Sequence, residues 1–272
     1  MYINLPKKFI TKNILVHLSQ THLGRKPKVA LWKIVKAIIY RLKSGTQWRE
    51  LPLKQFFTKV KITWQSVYYH FRKWSADGSW KKLWTALLKV HKSKLDLSSI
   101  QLDGSHTPAK RGGQAVGYQG RKKCKTTNAL FLTDAQGYIL AMSTPQSGQH
   151  NDIFGIEKSF PKMLEDLTAA TINYNDLFLN ADAGFDSTTF RKLCFKADII
   201  DNIDFNKRNS KSTDHQPLLD DELYKCRFCV ERSNAWIDAF KCLLVRFETK
   251  SETWMSLHYL AFAIIFTRNL KT

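Results

Sequence analysis

The chain has few cysteines and no framework for pairing them. Cys124, Cys194, Cys226, Cys229 and Cys242 are five in 272 residues, an odd number with no regular spacing. That excludes a small disulfide-stapled fold and fits a reducing compartment. Cys226 and Cys229 form a Cys-x-x-Cys, but no second pair follows at zinc-site spacing, so a structural zinc is not expected. Long apolar runs are also missing. None reaches the roughly 18 residues of a membrane-spanning helix. The most apolar piece, residues 257–266, is interrupted by His258 and reads as a buried helix, so no membrane partner is expected. The first ten residues lack the apolar core of a secretory signal, which points to a cytoplasmic protein. There is no Gly-x4-Gly-Lys-Ser/Thr phosphate loop, no arrangement for Ser-His-Asp or Cys-His catalysis, no internal repeat and no low-complexity segment.

What the first third lacks is acid. Residues 1–96 hold 21 Lys/Arg against Glu50, Asp77 and Asp96, a net of +18; residues 97–272 hold 22 against 20, a net of +2, giving +20 in all. The break divides the chain into a polyanion-binding domain, 1–96, and a carboxylate-bearing domain, 97–272. A ribosomal protein, a membrane-surface protein or a merely lysine-rich surface shares such charge, and nucleic acid is the partner preferred here.

The front domain reads as helices. Leu31, Val35, Ile38 and Leu42 recur at helical spacing before Ser44-Gly45, and Trp64, Val67, Tyr68, Phe71 and Trp74 form one face of a helix over 62–74. Trp80, Leu83, Trp84, Leu87 and Leu88 line a third. Three short helices with tight turns and a basic face resemble a helix-turn-helix module. Its aromatic stripes read as core, and Arg72 and Lys73, off the apolar face, are the DNA-facing candidates.

After Asp96 the pattern changes. Strands are expected over 98–103, 126–133, 138–143 and 177–182, with a hairpin turn at 134–137 and a short strand over 197–200. Helices are expected over 151–167, 187–195 and in the segment carrying residue 231. His150 and Asp152 read as capping residues of the first of these in preference to metal ligands, and Asp186 as the cap of the second in preference to a fourth ligand. Residues 202–220 read as a loop. Between the first two strands lies a glycine-rich stretch with Lys110, Arg111, Arg121, Lys122, Lys123 and Lys125 and no acid, suited to a phosphate backbone.

Three acids stand out. Asp103 and Asp182 each end an apolar strand, and Glu231 lies in a helical segment. Two carboxylates at strand ends and one on a later helix can meet at one edge of a sheet. Hard oxygen ligands of that kind suit two Mg2+ or Mn2+ ions, which serve phosphodiester chemistry.

The blocks around these acids resemble those of bacterial insertion-sequence DDE transposases, the group with a Tyr-x2-Arg-x3-Glu-x6-Lys motif. Tyr224, Arg227 and Glu231 match its spacing, whereas Asp238 stands where Lys is usual. Leu102-Asp103-Gly104-Ser105-His106 resembles the first block and Asp182-Ala183-Gly184-Phe185-Asp186 the second. Gly24-Arg25-Lys26-Pro27 and Ser44-Gly45-Thr46-Gln47-Trp48-Arg49-Glu50-Leu51-Pro52 resemble the end-binding region. The resemblance implies an α/β, ribonuclease-H-like catalytic fold behind a helical DNA-binding domain. It implies two metal ions on Asp103, Asp182 and Glu231, with Tyr224 and Arg227 orienting the site. It implies binding of terminal inverted repeats, cleavage, joining of 3′ ends to target DNA, a homo-oligomeric synaptic complex, and residence at the bacterial nucleoid. Arg121, Lys122, Lys123, Arg227 and Lys241 join Arg72 and Lys73 as expected DNA contacts, Lys241 because one continuous helix would align it with Glu231 and Asp238. A nuclease without strand transfer, or an inactive DNA-binding derivative, shares most of these features.

Overall fold

The computed structural model describes residues 5–20, 27–58, 60–206 and 219–269. The segments 24–26 and 207–218, read above as part of a motif and of a loop, lie outside them. The described residues form two units. A helical unit takes in residues 1–87, 110–113 and 237–272; a sheet unit takes in 88–109 and 114–236.

In chain order the helices are α1 (Lys7–Asn13), α2 (Leu31–Ser44), α3 (Leu53–Phe56), α4 (Trp64–Ala76), α5 (Ser79–Val90), α6 (Ile156–Ala169), α7 (Thr188–Lys196), α8 (Asp221–Lys225), α9 (Cys229–Asp238), α10 (Lys241–Leu244) and α11 (Ser251–Asn269). The strands are β1 (Ser99–Pro108), β2 (Gly117–Gln119), β3 (Cys124–Asp134), β4 (Ile139–Met142), β5 (Gln146–Ser147), β6 (Phe178–Ala181) and β7 (Ile200–Ile203).

The helical unit is held by aromatic packing. Helix α2 ends where Gly45 enters the left-handed region, φ 72°, and returns its N–H to the Arg41 carbonyl. Ile34, Val35, Ile38 and Leu42 bury its inner face. Trp74 of α4 meets Trp80 of α5 edge to face at 5.6 Å, and Trp84 meets Phe262 and Phe266 of α11 at 5.8 and 5.6 Å. Helix α11 is buried nearly all round, as its continuous apolarity requires. None of the described helices is long and apolar enough to cross a membrane.

The sheet unit is mixed. β1 pairs antiparallel with β3 and parallel with β6, and β6 pairs parallel with β7. β2, β4 and β5 pair antiparallel with successive stretches of β3. Helix α7 packs on β7, and α6 on β4 and α7, with Phe160 and Phe190 in edge contact at 5.0 Å.

Several local expectations need correction. Ser187, not Asp186, caps α7: its hydroxyl accepts the Phe190 N–H at 3.1 Å. Asp186 instead pairs with Arg191 at 2.9 Å. Helix α6 begins at Ile156, five residues later than expected, behind Gly155 in the left-handed region, so His150 and Asp152 are not its caps. The strand expected over 197–200 lies at Ile200–Ile203, because 197–199 turn out of α7. The basic stretch after β1 is not wholly loop, since β2 forms within it. The helix bearing Glu231 is broken into α8, a tight turn over Cys226–Phe228, α9 and α10. Lys241 therefore opens a separate helix and is not in continuous phase with Glu231.

Candidate active site

The site begins with sheet register. Leu102 of β1 is the parallel partner of Ala181 of β6, so the next residue on each strand, Asp103 and Asp182, comes forward side by side. Asp182 closes β6 by accepting the Gly184 N–H at 2.8 Å, which turns the chain away and leaves the carboxylate at the strand end. Burial pushes the Asp103 carboxyl up to about 6; Asp182 and Asp152 add to the rise, while the Gly104 N–H and Arg227 oppose it. That is a site organised around negative charge with too little positive charge of its own.

A buried amide ladder fixes the neighbouring segment. Gln101 is held by Ser99, and Asn180 donates to Gln101 at 2.7 Å and to the Leu223 carbonyl at 3.0 Å. Asn202 donates to Asn180 at 2.7 Å and accepts the Asp220 N–H at 2.8 Å. This chain of bonds ties the start of α8 across β1, β6 and β7. It brings Tyr224 and Arg227 to the strand ends, with the Arg227 guanidinium 5.4 Å from the Tyr224 ring centre. Burial raises the Tyr224 phenol, with Arg227 opposing the rise. Arg227 Nε is buried without a hydrogen-bond partner among the described residues.

Glu231 sits elsewhere on this arrangement. Helix α9 turns Cys229, Val230, Ser233 and Ile237 inward; Ser233 bonds the Gly137 carbonyl, and Trp236 stacks on Tyr138 at 5.7 Å. Glu231 and Asp238 occupy the exposed side. Among the described residues no three His, Cys, Asp or Glu side chains converge tightly enough to hold a metal ion. Cys229 does not point to open solvent: it contacts Thr133 and the Asp134 carbonyl, and burial pushes its thiol up to about 11.

Asp152 is the residue the sequence misassigned. It accepts a hydrogen bond from the buried Asn128 amide at 2.7 Å and stands 3.7 Å from His106 Nε2. A Cβ on Gly104 would overlap its carboxyl group, so glycine beside Asp103 is what lets a third acid approach β1. The signal was the spacing Asp103-Gly104, legible only once the partner across the gap is known. Burial lowers the His106 imidazole; Asp152 opposes that, and Lys122 and Arg121 reinforce it. Lys122 also donates to the His106 carbonyl at 2.8 Å. The exposed turn Arg121-Lys122-Lys123 thus borders the acidic group. Arg72 and Lys73 lie on α4, and Lys241 at the start of α10.

Oxygen donors on adjacent strand ends, one of them desolvated and repelled by its neighbours, fit a hard divalent cation. The sequence matches the profile of the DDE superfamily endonucleases over residues 102–266, more than half of the chain, and that described as a putative transposase of the IS4/5 family over residues 10–84. The chain belongs to the DDE superfamily endonucleases, and it is a DNA transposase of that class. No curated protein matched it. Among solved structures it is similar to a piggyBac transposase synaptic complex with hairpin DNA, at TM-score 0.52 and 10% identity over 97% of this chain and 74% of that one. It also aligns with a Mos1 transposase paired-end complex with left transposon end, at TM-score 0.30 and 11% identity over 91% and 80%. A pre-cleavage Mos1 transpososome gives TM-score 0.30 and 11% identity over 96% and 83%.

Proposed function

We propose that the sheet unit is a ribonuclease-H-like catalytic domain that cleaves DNA at the ends of a mobile element and joins the freed 3′ ends to target DNA. The observation that carries this is the side-by-side emergence of Asp103 and Asp182 from parallel strands β1 and β6. The strand order β3-β1-β6-β7, antiparallel then parallel, supports the fold assignment. Asp103 and Asp182 would hold the divalent metal, Mg2+ or Mn2+ as two ions; Glu231, on the exposed side of α9 and not part of a three-ligand cluster among the described residues, would have to move towards them to supply the third carboxylate. When bound, such ions activate a nucleophilic oxygen and stabilise the leaving one. Tyr224 and Arg227 orient the site, Arg227 as a cation whose charge favours the ionised Asp103. Arg121, Lys122 and Lys123 bind the backbone of the reacting strand.

The helical unit, which keeps residues 1–87 of the expected 1–96 domain and adds 110–113 and 237–272, is the proposed DNA-binding domain, with Arg72 and Lys73 of α4 contacting terminal inverted repeats and Lys241 adding a phosphate contact. A homo-oligomeric synaptic complex with DNA fits the piggyBac assembly to which the fold is similar. The test is a gel assay on duplexes carrying the DNA that flanks the reading frame. The wild type should cleave in Mg2+ and not in EDTA, and Asp103→Asn and Asp182→Asn should bind the ends without cutting. Cleavage that survives either substitution sinks the metal assignment. If Glu231→Gln alone survives, the third ligand is not Glu231.

A further inference from the structure

The helical unit contains a cavity of about 560 Å³ that the charge pattern does not explain. Its walls are aromatic. Trp48 and Trp64 stand 5.0 and 6.4 Å from Tyr68, ring to ring, and all three are half-buried, unlike Phe71 and Trp74 further along α4. Its rim is cationic: Arg49, Arg72, Arg111 and Lys250 line it and are exposed. Two of these guanidiniums lie over the aromatic walls, Arg49 at 5.5 Å from the Trp64 ring centre and Arg72 at 5.9 Å from that of Tyr68.

Beneath the aromatic walls lies a buried ion pair. Arg41 and Glu248, both lining the cavity, form it at 2.7 Å with side chains 6% and 7% exposed. Arg41 Nε and Glu248 Oε2 are buried and have no hydrogen-bond partner among the described residues. A buried donor and a buried acceptor left unpaired are unusual and costly. Flat aromatic walls and a surplus of cations match one ligand chemistry: a nucleobase attached to its phosphate. A phosphate alone leaves the walls unused, and an apolar side chain leaves the cations unused.

We infer that this cavity receives a single unpaired nucleotide of the DNA on which the protein acts. The inference rests on the DNA-binding role proposed above and deepens it. The base stacks on Trp64 and Tyr68 in place of Arg49 and Arg72, whose guanidiniums move to the flanking phosphates.

The experiment uses the whole chain and two duplexes of equal length, one fully paired and one with a single unpaired 2-aminopurine, together with deoxyadenosine monophosphate alone. The bulged duplex should bind roughly tenfold more tightly than the paired one, with 2-aminopurine fluorescence quenched by stacking. Tyr68→Leu and, separately, Trp64→Leu should remove both the preference and the quench while leaving paired-duplex affinity unchanged. Lys250→Gln, exposed and safe for folding, should lower the preference about threefold. Equal affinity for the two duplexes overturns the inference, as does a quench that survives both aromatic substitutions. Mononucleotide binding as tight as that of the bulged duplex overturns it too, since the site would then serve a free nucleotide. Failure to bind either duplex is a different result: it removes the DNA-binding reading itself.

Discussion

The two units bury charge and polarity in opposite ways. The helical unit encloses a neutral imidazole: His258 of α11 is fully buried, bonded to the Trp254 carbonyl, and its pKa is pushed down to about 4 by burial. The sheet unit encloses carboxyls: Asp103 and Asp134 are both pushed up to about 6 by burial. Asp134 is satisfied by the N–H groups of Asp96, Gln136 and Tyr138, which it gathers at the β3–β4 hairpin. Asp103 has one such bond, from Gly104, and the Arg227 charge, set against its burial and two neighbouring acids. The first unit therefore hides a group that does not need charge, whereas the second holds one group in a charge-repelling position with no structural return. That difference supports the proposal that Asp103, and not Asp134, holds a ligand.

The strongest way to break the contrast is to neutralise the acids. Asp103→Asn and Asp182→Asn should each lower Mg2+-dependent cleavage by at least about a hundredfold, because each removes an anionic ligand without changing side-chain size. Duplex affinity should stay within about twofold. In metal-free buffer, Asp103→Asn should also melt higher than wild type at neutral pH, since it removes a buried charge. Adding Mg2+ should raise the melting temperature of the wild type and leave that of the variant unmoved. A variant that gains as much from Mg2+ as the wild type would refute the metal assignment independently of any activity.

Acid should move the two units in opposite directions. His258 has a folded pKa near 4 against an ordinary value of 6.5, so as pH falls through that window the unfolded chain takes up a proton the folded chain refuses. Stability is lost, up to about 3 kcal/mol by the bottom of the window. Asp134 behaves in reverse: its folded pKa near 6 lies above the ordinary 3.8, so stability is gained as pH falls from about 6 to 4. His258→Gln should flatten the acid loss, and Asp134→Asn should steepen it. Melting curves at pH 7 and pH 4.5 decide. Equal slopes for wild type and His258→Gln would show that the imidazole is not the acid-sensitive element.

The same contrast explains what could be read from the sequence. The helical unit's core was legible because burial follows a 3.6-residue period: Val67, Phe71 and Trp74 on α4, and Trp80, Leu83, Trp84, Leu87 and Leu88 on α5, are buried as their spacing requires. The half-buried Trp64 and Tyr68 were not separable from that stripe, since the wall of a cavity and the wall of a core share a period. Asp103 and Asp182 were legible as strand ends before an abrupt loss of apolarity. Asp152 was not, because its place depends on Gly104 and Asn128, far from it in the chain. Helix phase failed between Tyr224 and Phe247, where short breaks at Cys226–Phe228 and after Asp238 reset the rotation.

Gly104 offers a sharper cut within the sheet unit. A methyl group there would overlap the Asp152 carboxyl, and at Gly104 β1 is held by its pairing with Leu130 of β3, so the Asp152 side chain is the part that must move. Gly104→Ala should push the half-exposed Asp152 carboxyl off Asn128, costing about 1 kcal/mol for the lost hydrogen bond. Cleavage should fall with it, while duplex binding is spared. An unchanged melting temperature would mean that Asp152 does not rest over β1.

The smallest expected effects lie on α4 of the helical unit, and they test whether that unit binds DNA through charge. Arg72 is exposed, whereas Lys73 is half-buried and lies near Asp77, whose carboxyl its charge helps to lower after the hydroxyl bonds from Ser19 and Ser79. Lys73 thus has part of its charge already answered. Arg72→Gln should weaken duplex binding about fivefold and Lys73→Gln about twofold, at low salt. Each lost phosphate contact should reduce the slope of log affinity against log salt by about one. The measurement is therefore a salt titration for wild type and both variants, with Lys7→Gln and Lys8→Gln on α1 as comparators. A general polyelectrolyte surface predicts equal losses at all four positions. A docked helix predicts the order Arg72, then Lys73, then the α1 lysines. Equal losses would remove α4 from the interface and leave the contrast between the units standing on the carboxylates alone.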